Sequence, residues 1–192
     1  MEIPESVTSI SSYVFSDCKA LEKAVLPKNI SIIDLGTFQY CSSLREINIP
    51  ESVTEIGKWA FTNCVSLNEI KLPEGLEYIG SYAFSDTAVS YIDIPMNTHI
   101  YDDSFEGVKG LKVSCYENSW GHSFAKANGY ECELKKFVYK KDENAEIVSS
   151  GSWNTNLSYT LDSSGTLTIS GSGKYGSAML IATMSRYPRG TD

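Results

Sequence analysis

The sequence lacks most of the residues and motifs on which enzyme chemistry depends. Only two of its 192 residues are histidine, His99 and His122, and neither has a cysteine or carboxylate at metal-ligand or catalytic-triad spacing. Asp102, Asp103 and Glu106 lack the glycine and the ligand spacing of a calcium loop. No phosphate-binding glycine loop, G-x-S-x-G turn or C-x-x-C pair occurs. We therefore expect no catalytic residue, cofactor or metal, and interpret the chain as non-enzymatic.

Long apolar runs and an excess of positive charge are also missing. No run reaches about 18 apolar residues, so no segment is expected to span a membrane. The chain carries 16 basic and 24 acidic side chains, with 19 acidic and 9 basic ones in residues 1–134 against 5 and 7 in residues 135–192. An acidic unit repels a phosphate backbone, so we expect no nucleic-acid partner. The change in charge along the chain predicts two units.

The dominant feature that is present is an internal repeat of 23 residues. Three residue types mark it, at Pro4, Pro27, Pro50, Pro73 and Pro95, at Phe15, Phe38, Phe61, Phe84 and Phe105, and at Cys18, Cys41 and Cys64. So many columns at one period predict a solenoid, in which each repeat buries its apolar face against its neighbours. The chain opens inside this pattern rather than with a signal peptide, so we interpret it as a piece of a longer protein.

Each repeat contains one predicted strand, followed directly by the proline. The apolar spacing predicts strands near Leu21–Leu26, Leu44–Ile49, Leu67–Leu72, Val89–Ile94 and Val108–Val113, with a remnant at Ile3. We expect them to stack as one parallel sheet, with the proline ending each strand because it has no N–H to donate. The segments at Trp59–Phe61 and Tyr82–Phe84 are predicted to be short helical or 3-10 turns.

The fullest copy of the repeat, from Ile49 to Ile70, follows I-P-x-S-V-T-x-I-G-x-x-A-F-x-x-C-x-x-L-x-x-I. This pattern resembles the BspA-type leucine-rich repeats of bacterial and protist cell-surface proteins, and it covers residues 1–114 as about five repeats. The resemblance implies an α+β solenoid wound as a right-handed superhelix. It also implies a cell-surface or secreted location and adhesion to extracellular-matrix or plasma glycoproteins.

Beyond the repeats, the sequence predicts a cap and a second, smaller unit. Residues 115–134 are predicted to complete a strand-helix-strand cap, with Ser119 as the helix N-cap and Gly129 at its end. Residues 135–146 are predicted to be a charged linker. Residues 147–192 are interpreted as a partial β module built on a hairpin, Leu157–Leu161 with Thr166–Ser170. The segment 174–192 does not match that module, and its nature stays open.

The five cysteines fall into two groups. Cys18, Cys41 and Cys64 recur once per repeat on the inner side, and we expect them to pack as buried free thiols because stacked side chains point in parallel. Cys115 and Cys132 lie on the two predicted cap strands. They would be able to form a disulfide only if those strands are neighbours.

Two surfaces are candidates for binding. The concave sheet face should present two columns of outward side chains, Lys23, Glu46, Glu69 and Tyr91 in one, and Asn48, Lys71, Asp93 and Lys112 in the other. A convex column of aromatic residues, interrupted by Gly36, is formed by Tyr13, Trp59 and Tyr82. Each side chain in these columns has an alternative role as ordinary solvated or packed surface.

The function predicted from these features is binding of a protein or glycoprotein ligand through the solenoid surface. The alternative is a passive structural spacer that carries an enzymatic or anchoring domain absent from this chain. A cluster of aromatic side chains on the concave face would favour binding, because such clusters mark interaction hot spots.

Overall fold

The computed structural model describes residues 1–135 in full and, beyond them, the strands at 147–154, 157–162, 166–171 and 180–183. The chain divides into two compact units, Met1–Phe137 and Val138–Asp192. The first unit is a parallel-sheet solenoid of about five turns with little helix, which confirms the predicted fold class.

One side of the solenoid is formed by a series of parallel strands, which we name the first ladder. Its strands are β1 (Lys23–Val25), β3 (Glu46–Asn48), β6 (Tyr91–Asp93), β8 (Lys112–Tyr116) and β9 (Glu131–Lys135). β1 pairs with β3, and β6 pairs with β8, which pairs with β9. Glu2 adds an isolated parallel bridge to Val25, at the place of the predicted remnant strand.

The first ladder differs from the predicted continuous sheet at its third rung. Residues 67–72 were expected to form a strand, but no strand is present there, so the ladder is divided between β3 and β6. Glu46 and Glu69 belong to the same outward column and stand on neighbouring rungs. Like charges directly opposite each other disfavour strand pairing. The last predicted strand also begins later, at Lys112 rather than Val108, because Gly110 turns the chain with a φ of 68°.

A second ladder, which the sequence analysis did not predict, runs along another side of the same solenoid. Its two-residue strands are β2 (Ile32–Ile33), β4 (Glu55–Ile56), β5 (Tyr78–Ile79) and β7 (His99–Ile100). Each follows a proline turn, in which the proline carbonyl accepts a hydrogen bond from the N–H three residues on, as in Pro50 to Val53 at 3.0 Å. The second residue of every strand in this ladder is a buried isoleucine.

The predicted helical turns around the repeat phenylalanines are successive hydrogen-bonded turns instead. The N–H groups of Ala60 and Thr62 donate to the carbonyls three residues earlier, as in a 3-10 helix. The N–H groups of the alternate residues Trp59 and Phe61 donate instead to the carbonyls of Ser81 and Ala83 on the next rung. Trp59 itself has a φ of 60°, which no right-handed helix allows. The segment is therefore not a continuous helix, and every second residue of it hydrogen-bonds to the neighbouring rung.

The core of the first unit is a column of phenylalanine rings. Phe15, Phe38, Phe61, Phe84 and Phe105 stack with centroids 4.9 to 5.5 Å apart. The last four are fully buried, whereas Phe15 is half-buried. The period of the sequence therefore predicted the interior of the solenoid correctly.

The predicted helix and its two ends are present in residues 112–135. Helix α1 (Trp120–Asn128) begins after Ser119, whose hydroxyl accepts a hydrogen bond from the N–H of His122 at 3.2 Å. It ends at Gly129, which has a φ of 67°. The ring of Phe124 lies 5.8 Å from that of Phe105, so the helix covers the end of the phenylalanine column.

The second unit contains a four-stranded antiparallel sheet. Its strands follow one another in chain order as β10 (Ile147–Asn154), β11 (Leu157–Asp162), β12 (Thr166–Gly171) and β13 (Leu180–Thr183). The predicted hairpin is confirmed by the pairing of Leu161 with Leu167. β13 lies in the segment 174–192, whose nature stayed open in the sequence. The linker was predicted for residues 135–146, but Lys135 belongs to β9 because the strand pairs with β8 up to that residue, and residues 136–146 lie outside the described residues.

Within the described residues, no helix has both the length and the apolar character needed to cross a membrane.

Candidate binding surface

The outward side chains of the first ladder are the candidate binding surface. The register places Lys23 opposite Glu46 and Tyr91 opposite Lys112. Lys112 therefore belongs to the Tyr91 column and not, as predicted, to the Asp93 column, because the spacing here shortens to 21 residues.

Two ion pairs occupy exposed charged side chains on this face. Lys23 contacts Glu46 at 2.5 Å and lowers the pKa of that carboxyl, mainly through its hydrogen bond. Lys112 contacts Glu131 at 3.1 Å. Since the side chains of both pairs are largely exposed, water screens them and each contributes little to folding. They do neutralise much of the charge that a partner would meet on these rungs.

Asn48 has a structural role in the folded chain. Its side-chain oxygen accepts a hydrogen bond from the N–H of Leu26 at 2.8 Å, one rung away. This bond satisfies a backbone donor just beyond the end of β1, so the Asn48 side chain is already engaged.

The other four predicted residues lie together around a groove of about 550 Å³. Glu69, Lys71, Tyr91 and Asp93 line it, and so does Lys135. Lys135 was missed by the sequence analysis. Its ammonium makes a short ion pair with Asp93 and lies 4.4 Å from the ring centroid of Tyr116. No spacing in the sequence indicates this contact, because Asp93 and Lys135 are 42 residues apart and meet only through β9.

The floor of the groove is the third rung, where the first ladder is divided. Its residues 68–72 make no backbone hydrogen bond within the described chain, whereas the equivalent residues of β1, β3, β6 and β8 are paired. Ile70 and Leu72 are buried beneath the groove, and Asn68, Glu69 and Lys71 are exposed. The groove therefore combines unpaired peptide groups with charged side chains and one half-exposed aromatic ring, that of Tyr91.

The predicted column of aromatic residues is set by an unusual backbone conformation. Tyr13, Trp59 and Tyr82 have φ values of 57 to 60°, and Gly36 occupies the same place with a φ of 58°. A side chain at Gly36 would also collide with the ring of Tyr13, since a Cβ there would lie 2.3 Å from it. Lys58 covers the ring of Trp59 at 4.2 Å. Gly36 thus explains the interruption of the aromatic column. A binding role for this column stays a prediction.

The repeat cysteines are buried as expected on two rungs and exposed on one. Cys41 and Cys64 each lie against the carbonyl of a phenylalanine on the preceding rung, at 3.0 and 3.1 Å. Burial raises the pKa of Cys41 to about 11 and raises that of Cys64 as well. Cys18 was also expected to be buried, but it is exposed because no phenylalanine carbonyl among the described residues lies against its sulfur as that of Phe15 does against Cys41.

The cap cysteines lie on neighbouring strands. β8 pairs with β9, and the sulfur atoms of Cys115 and Cys132 are 3.1 Å apart as free thiols. Burial, followed by the contact with Cys132, raises the pKa of Cys115 to about 12. The condition named for a disulfide, that the two strands are neighbours, is therefore met, although the two thiols are not joined.

Within residues 1–135 and the described strands beyond them, no three His, Cys, Asp or Glu side chains are grouped so that they could hold a metal ion. The carboxylates of the first-ladder groove are accompanied by lysines instead. The groove therefore presents peptide groups together with charged side chains of both signs.

Comparison with solved structures places this fold among bacterial leucine-rich repeat proteins. A leucine-rich repeat protein from Bacteroides ovatus is 30% identical and has a TM-score of 0.53, with 59% of this chain and 32% of that one covered. The leucine-rich repeat protein of T. pallidum is 25% identical with a TM-score of 0.56, covering 59% and 57%. A leucine rich cell surface protein from Faecalibacterium prausnitzii is 22% identical with a TM-score of 0.52, covering 71% and 48%.

The chain thus spans between about a third and just over half of the length of these three proteins. No curated protein matches it. The family model for the BspA type leucine rich repeat region matches residues 1–112 in six copies. Because this match covers more than half of the sequence, the chain belongs to the BspA-type leucine-rich repeat family.

Proposed function

We propose that this chain is a non-enzymatic binding module of a cell-surface or secreted protein. It contributes to adhesion by holding an extended segment of a protein or glycoprotein, such as one of the extracellular matrix, in the first-ladder groove. The single observation that carries this proposal is the third rung, whose peptide groups at 68–72 are unpaired and line that groove.

Unpaired peptide groups give the groove a means of binding an extended chain. The N–H and C=O groups of an extended peptide can pair with those of a receptor, and this pairing supplies affinity without requiring one particular sequence. On every other rung of the first ladder, at least one neighbouring strand of the solenoid already pairs with these groups. The third rung is therefore the place on this face where a partner's backbone gains the most.

Side chains around the groove supply selectivity. Tyr91 presents an amphipathic ring that can pack against an apolar side chain and donate or accept through its hydroxyl. Lys71 and Glu74 have no ion-pair partner among residues 1–135, and both line the groove. They are available to a partner, unlike Lys23, Glu46 and Lys112.

The family and the similar proteins support the proposed location. The Faecalibacterium protein is described as a cell surface protein, and the repeat family is shared. Repeat solenoids also offer an extended face suited to binding other macromolecules rather than an enclosed pocket suited to chemistry.

The test is binding of the purified full chain to immobilised fibronectin, fibrinogen and a glycan panel at about 0.15 M ionic strength. We expect saturable binding to at least one protein or glycoprotein and its loss in a Lys71→Ala/Tyr91→Ala variant. Both substituted side chains line the groove, and the exposure of Tyr91 indicates that its removal leaves the core intact.

The matched control is Lys23→Ala, which removes an exposed lysine from the same face outside the groove. Binding that survives in the groove variant would place the activity elsewhere on the surface. Absence of binding across the whole panel would favour the alternative function, a passive spacer for a domain that this chain does not contain.

A further inference from the structure

The outward column of the second ladder changes character along the solenoid. Ile32, Glu55, Tyr78 and His99 lie in register on successive strands β2, β4, β5 and β7. Their inward neighbours are buried isoleucines, so the outward residues are not needed to fill the core. The column starts with one apolar and one acidic residue and ends with two aromatic rings.

Two more rings join Tyr78 and His99 from other elements. Tyr101 follows β7 and meets both rings edge-on, with centroids 5.6 Å from Tyr78 and 5.3 Å from His99. Trp120 begins α1 and lies 4.4 Å from His99. We name Tyr78, His99, Tyr101 and Trp120 the aromatic cluster.

The aromatic cluster is open to solvent. Trp120 is 55% exposed and Tyr101 is 42% exposed, while Tyr78 and His99 are half-buried. Large aromatic side chains grouped on a surface are enriched at the sites where proteins bind one another. This cluster meets the hot-spot criterion that the sequence analysis applied to the concave face, but it lies on the other ladder.

The surroundings of the cluster are acidic. Glu55 is the strand neighbour of Tyr78, and Asp103 lies close by. The pKa of Tyr78 is raised to about 12, first by burial, then by the Tyr101 hydroxyl, and further by the charges of Glu55 and Asp103. The carboxylates of Glu55 and Asp103 therefore place a negative potential near the rings.

No cation of the described chain balances this potential over the four rings. The two lysine-ring contacts in residues 1–135 involve Trp59 and Tyr116 instead. His99 Nδ1 and Asp103 Oδ1 are buried there without a hydrogen-bond partner. A buried polar atom without a hydrogen-bond partner destabilises the folded chain, so folding stability alone does not account for this arrangement.

We propose that the aromatic cluster is a second binding site, which takes an arginine-bearing segment of a partner protein. A guanidinium within about 6 Å of a tryptophan or tyrosine ring is attracted by the π face, and nearby carboxylates strengthen that attraction. Arginine fits better than lysine because its planar group stacks on rings and is more weakly hydrated. The same potential repels phosphate and other anionic ligands. This site is separate from the groove of the proposed function and would stand if that function failed.

The test is calorimetric titration of the full chain with a short glycine-serine peptide that carries several arginines. A peptide with citrulline in place of each arginine has the same shape without the charge. We expect saturable binding of the arginine peptide, weaker binding of a lysine version and none of the citrulline peptide. Trp120→Ala and Glu55→Gln should each weaken the binding roughly tenfold.

The matched control is Trp59→Tyr, since tyrosine stands at the equivalent places Tyr13 and Tyr82, and it should leave the affinity unchanged. The Lys71→Ala/Tyr91→Ala groove variant should bind the arginine peptide normally, which separates this site from the proposed function. Unchanged affinity in Trp120→Ala, equal binding of the citrulline peptide or no binding of the arginine peptide would each overturn the proposal.

A further variant tests whether the chain's own basic segment occupies the site. If Lys136→Gln/Lys140→Gln/Lys141→Gln raises the affinity for the peptide roughly tenfold, the occupant is this segment and the proposed partner is wrong. Unchanged affinity supports a separate partner protein.

Discussion

Two groups of stacked aromatic rings lie in the same solenoid and have opposite surroundings. The phenylalanine column holds rings 4.9 to 5.5 Å apart and nearly parallel, with its central members sealed from water. The aromatic cluster has similar ring distances, 4.4 to 5.7 Å, but mixed orientations and open faces. Ring stacking alone therefore does not distinguish a core from a binding site.

What distinguishes the two groups is repetition and polarity. Every phenylalanine repeats the same position of the rung, so the rings within the column meet identical neighbours and exclude water. The aromatic cluster draws residues from two second-ladder strands, a turn and a helix, and it includes polar atoms and acidic neighbours. The comparison indicates that the first group serves stability and the second recognition, and four measurements can break or sharpen it.

The largest effect is expected from Phe61→Ala. Phe61 is fully buried between the rings of Phe38 and Phe84, so its removal leaves a cavity and should cost about 3–5 kcal/mol in the free energy of unfolding. Urea denaturation measures this, and hydrogen exchange should show the adjacent rungs opening together. An unchanged unfolding midpoint would mean that the ring does not support the core.

A smaller loss is expected from Gly80→Ala, which tests how closely neighbouring rungs approach. A Cβ at Gly80 would lie 2.6 Å from the backbone nitrogen of Lys58, so the rungs would have to separate at a cost of about 1–3 kcal/mol. Gly75→Ala is the control, since its Cβ would meet no atom closer than 3.9 Å. Equal unfolding free energies for the two variants would contradict the close approach.

The third prediction concerns alkaline pH and the aromatic cluster. The pKa of Tyr78 is about 12 in the folded chain against its ordinary value of 10.0, so deprotonation favours the unfolded state. The stability that this phenol contributes is complete below pH 10 and is lost as the pH rises towards 12. An ultraviolet pH titration of the native protein should show the phenolate transition of Tyr78 at the highest pH, and Tyr78→Phe should lack this transition. If the same transition remains, the burial and negative potential assigned to Tyr78 are wrong.

The smallest effect on stability is expected from Trp120→Ala, although its effect on binding should be large. The ring is more than half exposed and its main contact is His99, so the variant should lose about 1 kcal/mol or less. Thermal unfolding of Trp120→Ala and Phe61→Ala under the same conditions measures the difference between their stability losses. A loss as large as that of Phe61→Ala would make Trp120 part of the core and remove the distinction between the two groups.

The period of the sequence predicted the interior well because a solenoid repeats the same surroundings on every rung. The phenylalanine column, the buried Cys41 and Cys64, and the ends of α1 at Ser119 and Gly129 all followed from residue type and spacing. Where the surroundings stop repeating, the predictions were wrong. Cys18 is exposed, unlike Cys41 and Cys64, and Lys112 lies in another column because the spacing shortens.

The candidate surface was predicted only in part for the same reason. Four of its eight residues meet at one groove, but the repeat pattern predicts a third strand there, and the absence of that strand opens the groove. Lys135 completes the groove through β9, which returns beside β8 after a helix. A spacing rule compares equivalent residues of successive repeats, and Lys135 has no equivalent.

The sequence by itself determined the family, the solenoid and its core, since apolar residues recurring every 23 positions can be buried only by stacking their repeats. Tertiary structure alone decided which residues from non-equivalent positions of the repeats contact one another. Hydrogen-bond register formed the second ladder, and the helix after β8 brought Trp120 onto His99. Such contacts depend on the path of the backbone between elements, and the repeat does not encode that path.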